Sequence, residues 1–115
     1  MKFHTTQKAI KNGYDTIISV NYCRLQALLS CAEPIAYTTR REGWGADIYD
    51  IDGTTAIVTG YAPFGNVRPD YETLTAYENR AEAIHREYCR TLTYDEMRDQ
   101  LRDLLREFIQ EVTSK

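Results

Sequence analysis

The feature that most constrains the fold is an amphipathic pattern in the last quarter of the chain. Thr93 is followed three residues later by Glu96, and this spacing is a capping box, which predicts the start of a helix. Over residues 94–112 the apolar side chains recur every three or four positions, as on one face of a helix. We predict that they form its buried face: Met97, Leu101, Leu104, Leu105, Phe108, Ile109 and Val112.

A second helix is predicted directly before the first. Asp70 is a suitable N-cap for a helix over residues 71–90. One stripe of this helix follows the same spacing of three or four residues: Leu74, Tyr77, Ala81, Ile84 and Tyr88. Because residues 91–93 are a short joint, the two helices are expected to form an antiparallel hairpin.

The first half of the chain is predicted to be mainly β. Asp52-Gly53 lies between two β-rich runs and favours a type I′ turn, so residues 46–60 are expected to form a hairpin. The other elements are two strands, at 14–20 and 35–41, and a short helix at 22–31 that Asn21 can cap. Strands first and helices last predict an α+β fold in one domain, 1–115. It consists of an N-terminal antiparallel β-sheet with a short helix, within residues 14–60, and a C-terminal antiparallel helical hairpin, within residues 70–112.

Composition limits the class of partner. The chain has 115 residues and a net charge of −3, which argues against duplex nucleic acid as the main ligand because phosphate binding normally needs a basic surface. No apolar run approaches the length of a membrane span, and the N-terminus lacks the apolar core of a signal peptide. The three cysteines, Cys23, Cys31 and Cys89, form no CxxC pair and are expected to be free thiols. We therefore expect a cytoplasmic protein without a membrane partner.

Known catalytic and metal-binding patterns are weak in this sequence. His85 and Cys89 are one helical turn apart and Glu82 lies one turn earlier, but no fourth zinc ligand is evident, so we expect no metal and an ordinary helix surface. Three carboxylates of the hairpin can hold Mg²⁺ or act as acid and base: Asp47, Asp50 and Asp52. Strand periodicity puts Asp50 and Asp52 on one face and Asp47 on the other. We expect no catalytic residues and no cofactor.

Candidate ligand-binding residues lie in two segments. The stretch GYAPFGNVRPDY, residues 60–71, combines flexible glycines with groups that can stack on a base, bond a base edge or bind phosphate: Tyr61, Phe64, Asn66 and Arg68. Arg40 and Arg41 end a predicted strand just before Gly-Trp-Gly, where a guanidinium beside an aromatic ring can hold a phosphate. A rigid connector whose aromatic rings fold into the core is the alternative interpretation of residues 60–71.

The order of segments resembles that of a known family. It runs from YDTIISV and CRLQALL through TRREGWGADIYD and TTAIVTGYAPFGN to the helices that end in LLREFIQE. Over residues 14–112 this order is similar to the first family of phage Thoeris anti-defence proteins. These are small intracellular sponges that sequester the cyclic ADP-ribose isomers made by bacterial TIR-domain enzymes.

The resemblance implies a function and a set of ligand-binding residues. It implies a homodimer, or a trimer of dimers, that holds a cyclic nucleotide at the dimer interface beneath a mobile loop without cleaving it. Cyclic trinucleotides would bind at separate sites of the hexamer. The loop would be residues 60–68, with Phe64 stacking and Asn66 forming hydrogen bonds. Arg90 and either Arg40 or Arg41 would clamp phosphate.

Two other functions stay open at the level of sequence. The chain can be a protein-binding inhibitor module of phage origin that acts on a host protein, since its tyrosines and acidic balance suit a protein interface. It can also be an enzyme that acts on a nucleotide through the hairpin carboxylates. If the protein is encoded by a phage, it acts in the cytoplasm of the host cell.

Overall fold

A computed structural model describes residues 16–20, 24–38, 45–60 and 67–114. Three helices and four strands follow in the order β1 Ile17–Ser19, α1 Leu25–Leu29, β2 Ala36–Thr38, β3 Ala46–Ile51, β4 Thr54–Thr59, α2 Tyr71–Tyr88 and α3 Tyr94–Thr113, and a 3-10 turn, Ser30–Ala32, continues α1. The predicted α+β class and the two C-terminal helices are confirmed.

The sheet is mixed, and the prediction of an antiparallel sheet is wrong in this respect. Its strand order is β1-β4-β3-β2. β2 pairs with β3 and β3 with β4 in antiparallel fashion, whereas β1 pairs with β4 in parallel. A parallel pair needs a long crossover connection, and α1, β2 and β3 supply it here. No local sequence signal reports such a pairing, because β1 and β4 are far apart in the chain.

The hairpin between β3 and β4 has the predicted turn. Asp52 and Gly53 both adopt positive φ, 54° and 79°, as a type I′ turn requires. β1 covers three residues of the predicted strand at 14–20, and α1 covers five residues. Arg24 occupies the N-cap position of α1 without a side-chain capping bond, and the predicted cap, Asn21, lies outside the described residues.

Both C-terminal helices begin at their predicted caps. The Asp70 carboxylate accepts a hydrogen bond from the Thr73 amide at 2.7 Å. In the capping box the Thr93 amide donates to the Glu96 carboxylate at 2.9 Å, and the Glu96 amide donates to the Thr93 hydroxyl at 3.1 Å. These bonds satisfy backbone donors that the first turn of a helix leaves without partners.

The contacts between α2 and α3 pair early residues of one helix with late residues of the other, so the helices run antiparallel. Tyr77 and Phe108 meet edge to face with ring centroids 4.9 Å apart. Near the joint, the rings of Tyr88 and Tyr94 are 6.4 Å apart. All seven positions predicted to be buried in α3 are buried. The stripe on α2 is buried over its first three positions, whereas Tyr88, in the last turn, is 39% exposed.

The larger core lies between one face of the sheet and the helices. Tyr49 is fully buried there and its hydroxyl donates to the Leu29 carbonyl of α1 at 2.8 Å. Arg102 of α3 donates to two backbone carbonyls, Ala32 at 2.8 Å and Asp50 at 3.1 Å, and so fastens α3 to α1 and the sheet. A smaller buried cluster lies on the other face of the sheet: Ile17, Ala36, Ala46, Ile48 and Ile57. Among the helices in the described ranges, none is both long and apolar enough to cross a membrane.

Candidate functional site

Four strand ends form one row across the sheet. Ser19 of β1 lies beside Thr59 of β4, Thr59 lies beside Ala46 of β3, and Ala46 lies beside Thr38 of β2. We call this row the loop end of the sheet. The chain leaves or enters the sheet here at all four strands, so the connections that follow Thr38 and Thr59 start from neighbouring points.

The loop end anchors both segments that carry the predicted ligand-binding residues. Segment 39–44 connects Thr38 to Gly45, and segment 61–66 connects Gly60 to Val67. The Val67 amide donates to the Ile17 carbonyl at 3.0 Å, and the Ser19 amide donates to the Val67 carbonyl at 2.9 Å, so the second segment returns beside β1. Five predicted residues lie in these segments and hence outside the described residues: Arg40, Arg41, Tyr61, Phe64 and Asn66.

The two other predicted arginines lie at opposite ends of α2. Arg68 is exposed and follows Val67, just before the helix, whereas Arg90 is exposed and follows the C-terminus of the helix. The 18 residues of α2 span about 27 Å at 1.5 Å per residue. One protomer therefore does not bring Arg68 and Arg90 to the same small ligand.

A polar cluster joins α1 to the loop end of the sheet. The Thr59 hydroxyl donates to the Gly45 carbonyl at 2.8 Å, and the side-chain amide of Gln26 donates to the same carbonyl at 3.4 Å. The Gln26 carbonyl oxygen also lies against Gly60, where an added Cβ would be 2.8 Å from it. Gln26 therefore contacts one flanking residue of each segment.

Asp47 is the one hairpin carboxylate that belongs to this cluster. It is half-buried on β3, and burial raises its pKa to about 6, although a hydrogen bond with the Gln26 side chain acts in the opposite direction. Burial raises the pKa because it disfavours the charged form of a carboxyl group. Asp47 is thus a partly desolvated carboxylate with an amide donor beside it.

The three hairpin carboxylates do not meet. Asp50 is exposed on the opposite face of β3 from Asp47, as strand alternation requires. Asp52 lies in the turn at the other end of the strand and pairs with Arg106 of α3 at 2.6 Å. The expectation that Asp50 and Asp52 share a face is not met, because the left-handed turn directs Asp52 toward the helices.

Of the three residues considered as zinc ligands, His85 and Glu82 are engaged in other contacts. The His85 ring forms a hydrogen bond with the Leu28 carbonyl at 2.9 Å, and Glu82 pairs with Arg24. Cys89 is exposed. Within the described ranges no group of three or more potential metal ligands converges. The ordinary helix surface is the interpretation that fits these contacts.

Two residues at or beside the loop end, Ser19 and Gln26, were not identified from the sequence. Gln26 lies in a short leucine-rich helix, and nothing local indicates its contacts with Gly45 and Gly60. Ser19 is 2% exposed, and its hydroxyl has no hydrogen-bond partner within the described part of the chain. A buried hydroxyl without a partner is uncommon in folded proteins, but only the tertiary structure reveals it.

Comparison with known proteins does not place this chain in a family. No family model matches it, and neither the curated proteins nor the solved structures yield a match.

Proposed function

We propose that the protein binds and sequesters a small cyclic nucleotide of the cyclic ADP-ribose type without cleaving it, and so inhibits a bacterial anti-phage defence. The observation that carries the proposal is the row of strand ends: segments 39–44 and 61–66 both start and finish at, or directly beside, the loop end of the sheet. The aromatic, amide and guanidinium groups in these segments are of the kinds that bind a nucleotide.

Affinity at this kind of site needs several groups together. A charge-assisted bond between arginine and phosphate contributes about 1.5–3 kcal/mol, and stacking of a base on an aromatic ring contributes about 1–3 kcal/mol. A nanomolar ligand requires about 12 kcal/mol. Neither segment alone carries enough such groups, which favours a site that both segments share.

Binding without chemistry suits the disposition of the carboxylates. Asp47 and Asp50 point to opposite faces of β3, and Asp52 is paired with Arg106. This separation argues against a pair of hairpin carboxylates that act as acid and base on one substrate. Sequestration requires a tight complex and no such pair.

A second copy of the chain completes the proposed site. Because Arg68 and Arg90 lie about one full helix length apart in one protomer, a clamp that uses both would take one arginine from each protomer. We therefore propose a homodimer as the binding unit, with assembly into a hexamer as a further step. Native mass spectrometry with and without glycocyclic ADP-ribose measures the number of chains and the bound mass together.

The main test measures binding and the fate of the ligand. We expect the parent protein to bind glycocyclic ADP-ribose in calorimetry and to release it intact after denaturation. Phe64→Ala and Asn66→Ala are each expected to weaken binding at least tenfold with little change in melting temperature. Ile35→Ala, which shortens an exposed side chain at the end of β2 opposite the loop end, is the control and should bind like the parent.

Two results would contradict the proposal. If both Phe64→Ala and Asn66→Ala bind as well as the parent, segment 61–66 is not part of the site. If the recovered ligand is chemically converted, the protein is an enzyme and not a sponge.

A protein-binding inhibitor is the second candidate, and an exposed patch favours it. Ile35, Tyr88 and Tyr94 are 55%, 39% and 45% exposed. The two tyrosine rings contact each other, and the Tyr94 hydroxyl lies 3.4 Å from the carboxylate of Glu33, two residues before Ile35. Aromatic residues are enriched at protein interfaces. This candidate predicts no thermal stabilisation by cyclic nucleotides and a host partner that Tyr94→Ala releases.

A further inference from the structure

An exposed patch lies where the joint between α2 and α3 meets the entry to β2. The rings of Tyr88 and Tyr94 contact each other with centroids 6.4 Å apart, and the Tyr94 hydroxyl donates to the Glu33 carboxylate at 3.4 Å. Ile35 follows two residues after Glu33, directly before β2. We call these four residues the tyrosine patch. In the described ranges four large hydrophobic side chains are exposed, and three of them belong to this patch. Exposed hydrophobic side chains that cluster in this way are typical of a surface that another molecule covers.

Glu33 holds a strained backbone conformation within this patch. Its φ is 59° and its ψ is 81°, in the left-handed region, where glycine is the usual residue. Its carboxylate lies between the Tyr94 hydroxyl and the Arg98 guanidinium, which is 3.7 Å away. Because backbone strain of this kind clusters at functional sites, the position of the Glu33 carboxylate indicates a role beyond stability.

The charged groups with described contacts at the patch are mostly acidic. Arg98 lies 3.3 Å from Asp95 and 3.2 Å from Asp99, in addition to its contact with Glu33. The three carboxylate side chains are exposed, whereas Arg98 is partly buried, so one guanidinium balances only part of their charge. Tyrosine rings also attract cations to their negative faces. The surface is therefore complementary to a positively charged group.

The same charges argue against a second copy of the chain as the occupant of the patch. A two-fold contact between copies places the same surface on both sides of the interface. Carboxylates of one copy would then face carboxylates of the other, and like charges across an interface are unfavourable. Charge complementarity instead favours a partner that brings its own cation.

We propose that the tyrosine patch is a docking surface for a partner protein that presents an arginine or lysine beside an aliphatic side chain. The cation lies against the Tyr94 ring and the Glu33 carboxylate, and the aliphatic side chain packs on Ile35. This inference rests on the second candidate function, the protein-binding inhibitor, and gives the chemistry of its partner. Nucleotide binding at the loop end is a separate event, because Ile35 and the loop end lie at opposite ends of β2.

Selection from a displayed library of short random peptides tests this chemistry. The parent protein should enrich peptides in which an arginine or lysine adjoins an aliphatic residue, and calorimetry then measures the affinity of the most enriched peptide. We expect Tyr94→Ala and Glu33→Gln each to weaken peptide binding about tenfold, with melting temperatures close to that of the parent. Tyr71→Ala is the matched control and should bind like the parent, because Tyr71 is also exposed but lies at the other end of α2.

Two further measurements separate a binding role of the patch from a structural one. Glu33→Gly relieves the left-handed strain, so the melting temperature should hold or rise while peptide binding weakens about tenfold. If Glu33 only terminated the 3-10 turn, Glu33→Gly would leave peptide binding unchanged. Raising the salt concentration from about 0.05 M to about 0.5 M should weaken peptide binding severalfold, since salt screens exposed charges.

The contrary outcomes separate the docking surface from the function on which it rests. If the enriched peptides carry no cation, or bind Tyr94→Ala as tightly as the parent, the docking surface is wrong and the second candidate function needs another surface. If Tyr94→Ala dissociates a dimer of the parent in sedimentation, the patch is an interface between copies and the inference is overturned. If the parent enriches no peptide and Tyr94→Ala releases no host partner, the docking surface and the second candidate function fail together.

Discussion

The helical hairpin and the loop end of the sheet are held together by different kinds of contact. In the hairpin, each helix begins at its own cap, and residues spaced three or four apart make one buried face. At the loop end, the contacts join residues that are distant in the chain, such as Gln26 with Gly45 and Ser19 with Thr59. From this difference we expect the helical hairpin to supply most of the stability, whereas the proposed binding function uses the loop end.

The largest expected change in stability is that of a substitution in the core of the helical hairpin. Phe108 is fully buried and packs edge to face on Tyr77. Phe108→Ala should lower the free energy of unfolding by about 3–5 kcal/mol, because it removes a large apolar side chain and leaves a cavity. Urea unfolding measures this change.

Tyr71→Ala is the control for that substitution. Tyr71 begins α2 and is 81% exposed, so its removal should change the free energy of unfolding by no more than about 0.5 kcal/mol. If Phe108→Ala lowers the free energy of unfolding by less than about 1 kcal/mol, the helical hairpin is not the main source of stability. That result would contradict the comparison between the two regions.

The helical hairpin could be predicted residue by residue because its sequence signals are local. The Thr93 and Glu96 capping box, the Asp70 cap and the spacing of the α3 face are all short-range patterns, and each is confirmed. The same holds for the Asp52-Gly53 turn. The exception is Tyr88, which continues the α2 stripe but lies so close to the joint that α3 covers it only in part.

The sheet and the loop end could be predicted only in outline. Local propensity identified the strands but not the parallel pairing of β1 with β4, which depends on the path of the intervening chain. The sequence also indicated that segments 39–44 and 61–66 contain residue types that can bind a nucleotide. It could not reveal that Gln26 contacts Gly45 and Gly60, which flank these segments, because the contacts exist only after α1 has packed on the sheet.

A medium effect on stability is expected from the half-buried Asp47 carboxylate, which lies beside the loop end. Burial raises the pKa of Asp47 from 3.8 to about 6 in the folded protein. The folded state therefore holds this proton more tightly than the unfolded state, and the Asp47 contribution to stability falls as pH rises from about 4 to about 6. Asp47→Asn should raise the free energy of unfolding at pH 7 by about 1–2 kcal/mol, allowing for partial solvent exposure.

Urea unfolding at pH 4.5 and pH 7.0 checks this prediction. The gain from Asp47→Asn should be present at the higher pH and smaller at the lower pH, where the native carboxyl is largely protonated. Asp50→Asn, on the exposed side of the same strand, is the matched control and should leave the parent's pH dependence unchanged. If Asp47→Asn destabilises the protein at pH 7, the ionised carboxylate has favourable contacts that outweigh its desolvation, and the prediction is wrong.

The smallest change in stability is expected for a substitution of Ser19, and it tests most directly how the loop end differs from the helical hairpin. Its hydroxyl is buried without a partner in the described part of the chain, next to Thr59, whose hydroxyl bonds the Gly45 carbonyl at 2.8 Å. Ser19→Ala should leave stability unchanged or raise it by up to about 1 kcal/mol, since it removes an unsatisfied polar group, whereas Thr59→Ala should lower stability by about 1 kcal/mol or more. Thermal unfolding of both variants measures the contrast. If Ser19→Ala lowers stability as much as Thr59→Ala does, both hydroxyls have hydrogen-bond partners. The Ser19 hydroxyl would then not be available to a ligand or a bound water.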